Sequence, residues 1–154
     1  MNSRRIELIV VHCSASFAGQ DIGAREIREW HLDRGFAGIG YHYVIRLSGV
    51  VERGRSEDVA GAHAVGYNSH SIGVCLVGGI DENARAQDTF TPAQHSALLA
   101  LLLELRSRYP RAYVLGHRDL PNVAKECPSF DVRAWCASKG LDQGDPDGLA
   151  RARS

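Results

Sequence analysis

Residues 6–12, close to the N-terminus, read IELIVVH. The nearly continuous aliphatic run at 6–11 has the length and composition of a strand that is buried on both faces of a sheet. His12 closes this run, and a polar loop follows it. We therefore predict a central first strand that carries a histidine at its carboxyl end.

The rest of the chain alternates between strand and helix patterns. We predict further strands at 41–47, 50–54, 72–77 and 112–115, and helices at 22–34, 91–109 and 130–138. The second helix has the clearest start, because Thr91 can cap it, Pro92 fits its first turn and Gln94 can bond back to the cap. The order β-α-β-β-β-α-β-α predicts one α/β domain over residues 1–140, followed by a polar, mobile tail at 141–154.

Composition narrows the range of partners. The 154 residues include 18 Lys and Arg against 18 Asp and Glu, so the formal net charge is zero, which argues against nucleic acid or an anionic membrane as a partner. No apolar run approaches the ~20 residues that cross a bilayer. The N-terminal apolar run contains Glu7 and lacks a cleavage site, so we predict no signal peptide. The four cysteines are far apart, which argues against a disulfide framework.

Residues with metal-binding chemistry occur where strands end. His12 ends the first strand, His117 follows the strand at 112–115 by one glycine, and Cys127 lies ten residues later. Imidazole nitrogen and thiolate sulfur are zinc donors, and three donors with one open position are typical of a catalytic zinc site. The spacing alone also fits unrelated residues, or a cysteine hydrolase that uses Cys127 or Cys13 as its nucleophile.

Several longer motifs together identify a resemblance to a known family. They are VHCSA at 11–15, GYH at 40–42, GYN at 66–68, SIGVCLVGGID at 71–81, FTPAQ at 90–94 and KECPSFD at 125–131. In this order they resemble the zinc N-acetylmuramoyl-L-alanine amidases of the type-2 class, which include phage endolysins and are related to peptidoglycan-recognition proteins. The resemblance covers roughly residues 6–139. It implies a single α/β domain with a central mixed β-sheet flanked by helices.

The resemblance also implies a set of functional residues. One zinc ion per chain would be held by His12, His117 and Cys127, while Tyr41 and Lys125 would serve catalysis. The substrate would be the amide between N-acetylmuramic acid and L-alanine in peptidoglycan. Many relatives have Asp at the position of Cys127, and some have Glu where this chain has Tyr41, which leaves the general base open.

Further candidates lie near the implied zinc site. His63, Tyr67 and Asn68 belong to a glycine-rich loop that we expect to line the substrate groove, although turn chemistry also explains Asn68. Tyr41 and His42 are neighbours in a predicted strand, so their side chains should point to opposite faces. We expect Tyr41 to face the metal.

The resemblance implies a biological setting as well. We expect a monomer that is made in the host cytoplasm and reaches the cell wall after the membrane is permeabilised, causing host lysis. The alternatives are a peptidoglycan-binding module without activity and a cytoplasmic amidase of cell-wall recycling. One phage lysozyme of this family also binds and inhibits its own phage RNA polymerase, using N-terminal residues among others. The segment before the first strand is only residues 1–5, which argues against that partner here.

Overall fold

The computed structural model describes residues 3–153 and contains a sheet with helices on both faces. The strands are β1 (Leu8–Cys13), β2 (Ser16–Phe17), β3 (Tyr43–Ile45), β4 (Val51–Arg53), β5 (Ser71–Leu76), β6 (Gly79–Ile80) and β7 (Tyr113–Gly116). The helices are α1 (Ala24–Asp33), α2 (Pro92–Arg108), α3 (Val132–Ser138) and α4 (Gly148–Arg151). Single 3₁₀ turns occupy Asn68–His70 and His117–Asp119.

The main sheet has the strand order β4-β3-β5-β1-β7. Its neighbouring strands are parallel except for the β3–β4 pair, which is antiparallel, so the predicted mixed sheet is confirmed. β1 lies between β5 and β7, and all six of its residues are buried, as its aliphatic run predicted. Because β1 and β7 are parallel neighbours, their carboxyl ends adjoin. A separate short pair, β2 with β6, forms outside the strands that the sequence predicted.

The two faces of the sheet are covered differently. α2 and α3 pack on the face that carries Ile9 and Val11. The opposite face of β1, which carries Leu8 and Val10, is covered by loop residues and the C-terminal segment. His12 shares this second face, because side chains alternate along a strand. The predicted cap of α2 is confirmed, since the Thr91 side chain accepts a hydrogen bond from the backbone of Gln94.

The C-terminal segment differs from the expected polar tail, because its described residues, 141–153, pack against the domain. Leu141 joins the main core, and Gln143 exchanges hydrogen bonds with the backbone of β7. Arg151 forms an ion pair of 3.0 Å with the buried carboxylate of Glu7, and Ala152 is fully buried. The apolar residues of this segment are too widely spaced in the sequence to form a periodic pattern, so the sequence alone did not predict that the segment packs against the domain. The domain boundary at residue 140 stays a prediction.

Candidate metal centre

His12, His117 and Cys127 come together although they are distant in sequence. Their donor atoms all lie within 4.8 Å of one another, and within residues 3–153 this is the one group of three or more His, Cys, Asp or Glu side chains that is so arranged. His12 lies at the end of β1, and His117 begins the turn after the neighbouring β7. The backbone N–H of Arg118 donates a hydrogen bond of 2.8 Å to the carbonyl of Cys127, which ties the cysteine loop to that turn.

The His12 ring presents its two nitrogens to different neighbours. Nδ1 lies 3.9 Å from Sγ of Cys127, whereas Nε2 lies 2.8 Å from Nδ1 of His63. His12 is 1% exposed, and burial lowers its pKa well below the usual 6.5. The ring is therefore neutral at physiological pH, which is the form that ligates metals.

Cys127 is held at the end of β1 by a backbone contact. Its Sγ accepts a hydrogen bond of 3.2 Å from the backbone N–H of Cys13. The adjacent Cys13 thiol and burial together raise the pKa of Cys127, so a bound cation is what would favour its thiolate form. Cys13 itself, the alternative nucleophile, is 5% exposed and packs in the core with its Sγ 3.8 Å from Oγ of Ser129.

This set of donors fits a zinc ion. Two imidazole nitrogens and one thiolate sulfur are ligands that zinc prefers, and structural zinc sites almost always use four protein donors rather than three. All three residues also line a cavity of about 940 Å³. A fourth coordination position facing this cavity would therefore be open to water or substrate.

Tyr41 lies beside the donor group, with its ring centroid 5.1 Å from that of His12. Burial raises the pKa of Tyr41 well above 10, so its phenol stays protonated and can donate a hydrogen bond. His42 is turned elsewhere, since its Nδ1 accepts from the backbone of Gly73 and its Nε2 lies 2.8 Å from the carbonyl oxygen of Val59. The structure thus brings Tyr41, and not His42, next to His12.

Lys125 lies in the exposed loop that leads to Cys127 and lines the same cavity. Burial lowers the pKa of His117, and the nearby ammonium of Lys125 lowers it further. Lys125 is therefore close enough to the donor group to act on it electrostatically.

The three residues predicted to bind substrate all line the cavity, but most of their contacts are internal. Oδ1 of Asn68 accepts hydrogen bonds of 2.9 Å from the backbone N–H groups of His63 and Ala64, as the turn explanation predicts. Tyr67 is 7% exposed and packs in the cluster that contains Leu8. Both ring nitrogens of His63 contact protein atoms, namely Nδ1 the Nε2 atom of His12 and Nε2 the Oγ atom of Ser71.

Sequence reasoning missed two arginines of the cavity wall. Arg34 and Arg153 line it together with Lys125, and the described residues of the lining include no Asp or Glu. The cavity is therefore cationic in a chain whose net charge is zero. Isolated arginines carry no pattern that would have identified them, and Arg153 lies in the segment that was expected to be a free tail.

The fold and the donor group define an α/β protein with a candidate three-donor metal site beside a cavity, an arrangement that metal-dependent hydrolases also use. The sequence profile described as "N-acetylmuramoyl-L-alanine amidase" matches residues 2–130, and the chain belongs to this zinc-dependent enzyme family. The resemblance inferred from the motifs is confirmed. None of the helices in residues 3–153 combines the length and the apolar character that a bilayer crossing needs.

Individual relatives agree with the family assignment. The chain is 50% identical over 135 residues to the endolysin of Enterobacteria phage K11, covering 88% of each chain. It is 45% identical over 139 residues to the endolysin of Escherichia phage T7, covering 90% of this chain and 91% of that one. The solved structure of N-acetylmuramoyl-L-alanine amidase LysC from Clostridium intestinale superposes with a TM-score of 0.76 at 30% identity, covering 90% and 88% of the two chains.

Proposed function

We propose that this protein is an endolysin that hydrolyses the amide between N-acetylmuramic acid and L-alanine of peptidoglycan, using one zinc ion held by His12, His117 and Cys127. The observation that carries the proposal is the convergence of three zinc-type donors within 4.8 Å at the wall of a large cavity. The phage endolysins at 45% and 50% identity, each matched over most of its length, support it further.

The chain's own residues divide the work of amide hydrolysis. Zinc bound by these donors would lower the pKa of a water molecule toward ~7 and polarise the scissile carbonyl. Tyr41, which stays protonated at neutral pH, would orient the water or the carbonyl oxygen by donating a hydrogen bond to it. Lys125 places a positive charge near the carbonyl oxygen, where negative charge develops in the transition state. Tyr41 is a poor candidate for the general base, because its raised pKa opposes loss of its proton.

The cavity wall suits the chemistry of the substrate. The stem peptide of peptidoglycan carries carboxylates, and the wall provides Arg34, Lys125 and Arg153 without acidic residues among its described members. Tyr67 and Asn68 form a further part of this wall, which we assign to substrate contact. We assign the enzyme to the cell wall of the host, and the endolysin relatives support the wall as its place of action. We further propose that it acts as a monomer and reaches the wall after the membrane has been permeabilised.

The experiment that tests the proposal pairs metal content with bond specificity. We expect elemental analysis of the purified protein to find about one zinc per chain, and far less in Cys127→Ala. Cys136→Ala is the matched control, since Cys136 is a buried cysteine of α3, and it should keep its zinc. The zinc-loaded protein should release free L-alanine amino termini from purified peptidoglycan. A protein without zinc, or a Cys127→Ala variant with a full complement of it, would contradict the proposal.

A further inference from the structure

His12 forms a pair with a second histidine, His63, through the ring nitrogen that does not face Cys127. Nε2 of His12 is 2.8 Å from Nδ1 of His63, and the two rings are perpendicular, with centroids 4.9 Å apart. Nδ1 of His12 is the nitrogen on the side of Cys127. If this Nδ1 donates its lone pair to a metal, the ring proton must be on Nε2. The proton then points at Nδ1 of His63, which accepts it in a hydrogen bond.

His63 has a second hydrogen-bond partner at Nε2, and this partner fits the same direction of hydrogen-bond donation. Because its Nδ1 accepts a hydrogen bond, a neutral His63 carries its proton on Nε2. That nitrogen lies 3.3 Å from Oγ of Ser71, the first residue of β5, which is fully buried. The hydrogen bonds thus run in one direction from His12 through His63 to Ser71.

The backbone around His63 is shaped to hold this ring. A Cβ atom at Gly73 would lie 2.7 Å from the ring, and one at Gly61 would lie 2.6 Å from its Cδ2 atom, so glycine at both positions provides the space. The backbone N–H of His63 donates to Oδ1 of Asn68, which fixes the residue from the loop side. The ring is therefore held between the loop and β5, with His12 at its Nδ1.

We propose that His63 is a positioning residue that holds the Nε2 proton of His12 and thereby keeps Nδ1 of His12 available to the metal. The inference rests on the proposed zinc site and replaces the expected substrate contact of His63. Metal-ligating histidines usually donate their second nitrogen to a carboxylate, a carbonyl or water, and loss of such a partner weakens metal binding about 10- to 100-fold. Here another neutral histidine takes that place.

The test measures the zinc dissociation constant by competition with a chromophoric chelator. In His63→Leu the acceptor is lost while much of the volume remains, and we expect zinc binding to weaken about 10- to 100-fold. His63→Asn is the matched control, because Oδ1 of asparagine can accept a hydrogen bond at the position of Nδ1. It should bind zinc within a few-fold of the parent. Thermal unfolding of the metal-free proteins identifies any variant that has lost its fold.

Ser71→Ala is a second and milder substitution, and the same zinc measurement on this variant tests the inference if His63→Leu does not fold. It removes only the hydroxyl that receives the proton of His63, and we expect several-fold weaker zinc binding. A folded His63→Leu that binds zinc as tightly as the parent would overturn the inference, as would equal losses in His63→Leu and His63→Asn. If His63→Leu does not fold, unchanged zinc affinity in Ser71→Ala overturns it. A parent protein that binds no zinc would refute the proposed function instead.

Discussion

The backbone N–H of Cys13 donates a hydrogen bond of 3.2 Å to Sγ of Cys127. Cys13 directly follows His12 in β1, so one strand end both supplies a donor and orients another that lies more than a hundred residues away. Hydrogen bonds to a thiolate favour its charged form. Because β1 lies between β5 and β7 and all its residues are buried, the geometry of the site depends on a fully buried strand of the sheet.

Lys125→Ala should lower kcat by about 10²- to 10³-fold, the usual cost of removing a group that stabilises developing negative charge. Its zinc content should match the parent, since Lys125 is not among the donors. Lys139→Ala, which removes an exposed lysine just after α3, is the control and should be fully active. Amidase kinetics with elemental analysis provide the measurement. Parent-like kcat in Lys125→Ala would show that its charge is not used.

Tyr41→Phe should keep the ring beside His12 but lose the hydroxyl, and we expect kcat to fall about 10²-fold with zinc content unchanged. Burial raises the pKa of Tyr41 well above 10, so the phenol does not titrate between pH 6 and about pH 9. The pH profiles of kcat/KM should therefore have the same shape in parent and variant. Tyr113→Phe on β7 serves as the control. If Tyr41→Phe removes an ionisation that the parent shows in this range, Tyr41 acts as a base after all.

Truncation after residue 140 should destabilise the protein. It removes the buried side chains of Leu141 and Ala152 and the ion pair of Arg151 with Glu7, for a loss on the order of 4 kcal/mol in the free energy of unfolding. Urea denaturation measures this loss, and Arg153→Ala, a substitution at an exposed position of the same segment, should leave the stability close to that of the parent. A truncated protein as stable as the parent would instead establish residue 140 as the end of the domain.

Stability should depend on acid pH through Glu57. Burial opposes its ionisation, but hydrogen bonds from Tyr109, Tyr43 and Arg108 outweigh burial and hold the pKa of Glu57 below its usual value. The stabilisation is present above the unfolded-state pKa of about 4.3 and is lost as the pH falls through the lower folded-state pKa.

The test compares Glu57→Gln with the parent by urea denaturation. The variant should be less stable at pH 7, and the difference should shrink at pH 3, because the parent carboxylate has then begun to bind a proton. Glu82→Gln, at an exposed loop position, should match the parent at both pH values. An equal deficit of Glu57→Gln at pH 7 and pH 3 would mean that the ionised form is not preferentially stabilised by folding.

The sequence by itself determined the features that rest on local patterns. The aliphatic run that ends at His12 predicts a buried strand, and Thr91 with Gln94 predicts the start of α2, because strand burial and helix capping involve residues close together in the chain. The motifs at 71–81 and 125–131 were long enough to identify the family and, through it, the donors His12, His117 and Cys127.

Only the tertiary structure decided how distant residues complete these elements. His63 lies 51 residues from His12, and no spacing rule indicates that it faces Nε2 rather than the substrate. Arg151 pairs with Glu7 across 144 residues, so a segment that was expected to be a mobile tail contacts a residue just before β1. The physical reason is the same in both cases: a buried polar group needs a partner, and the chain's three-dimensional path determines which residue is close enough to provide it.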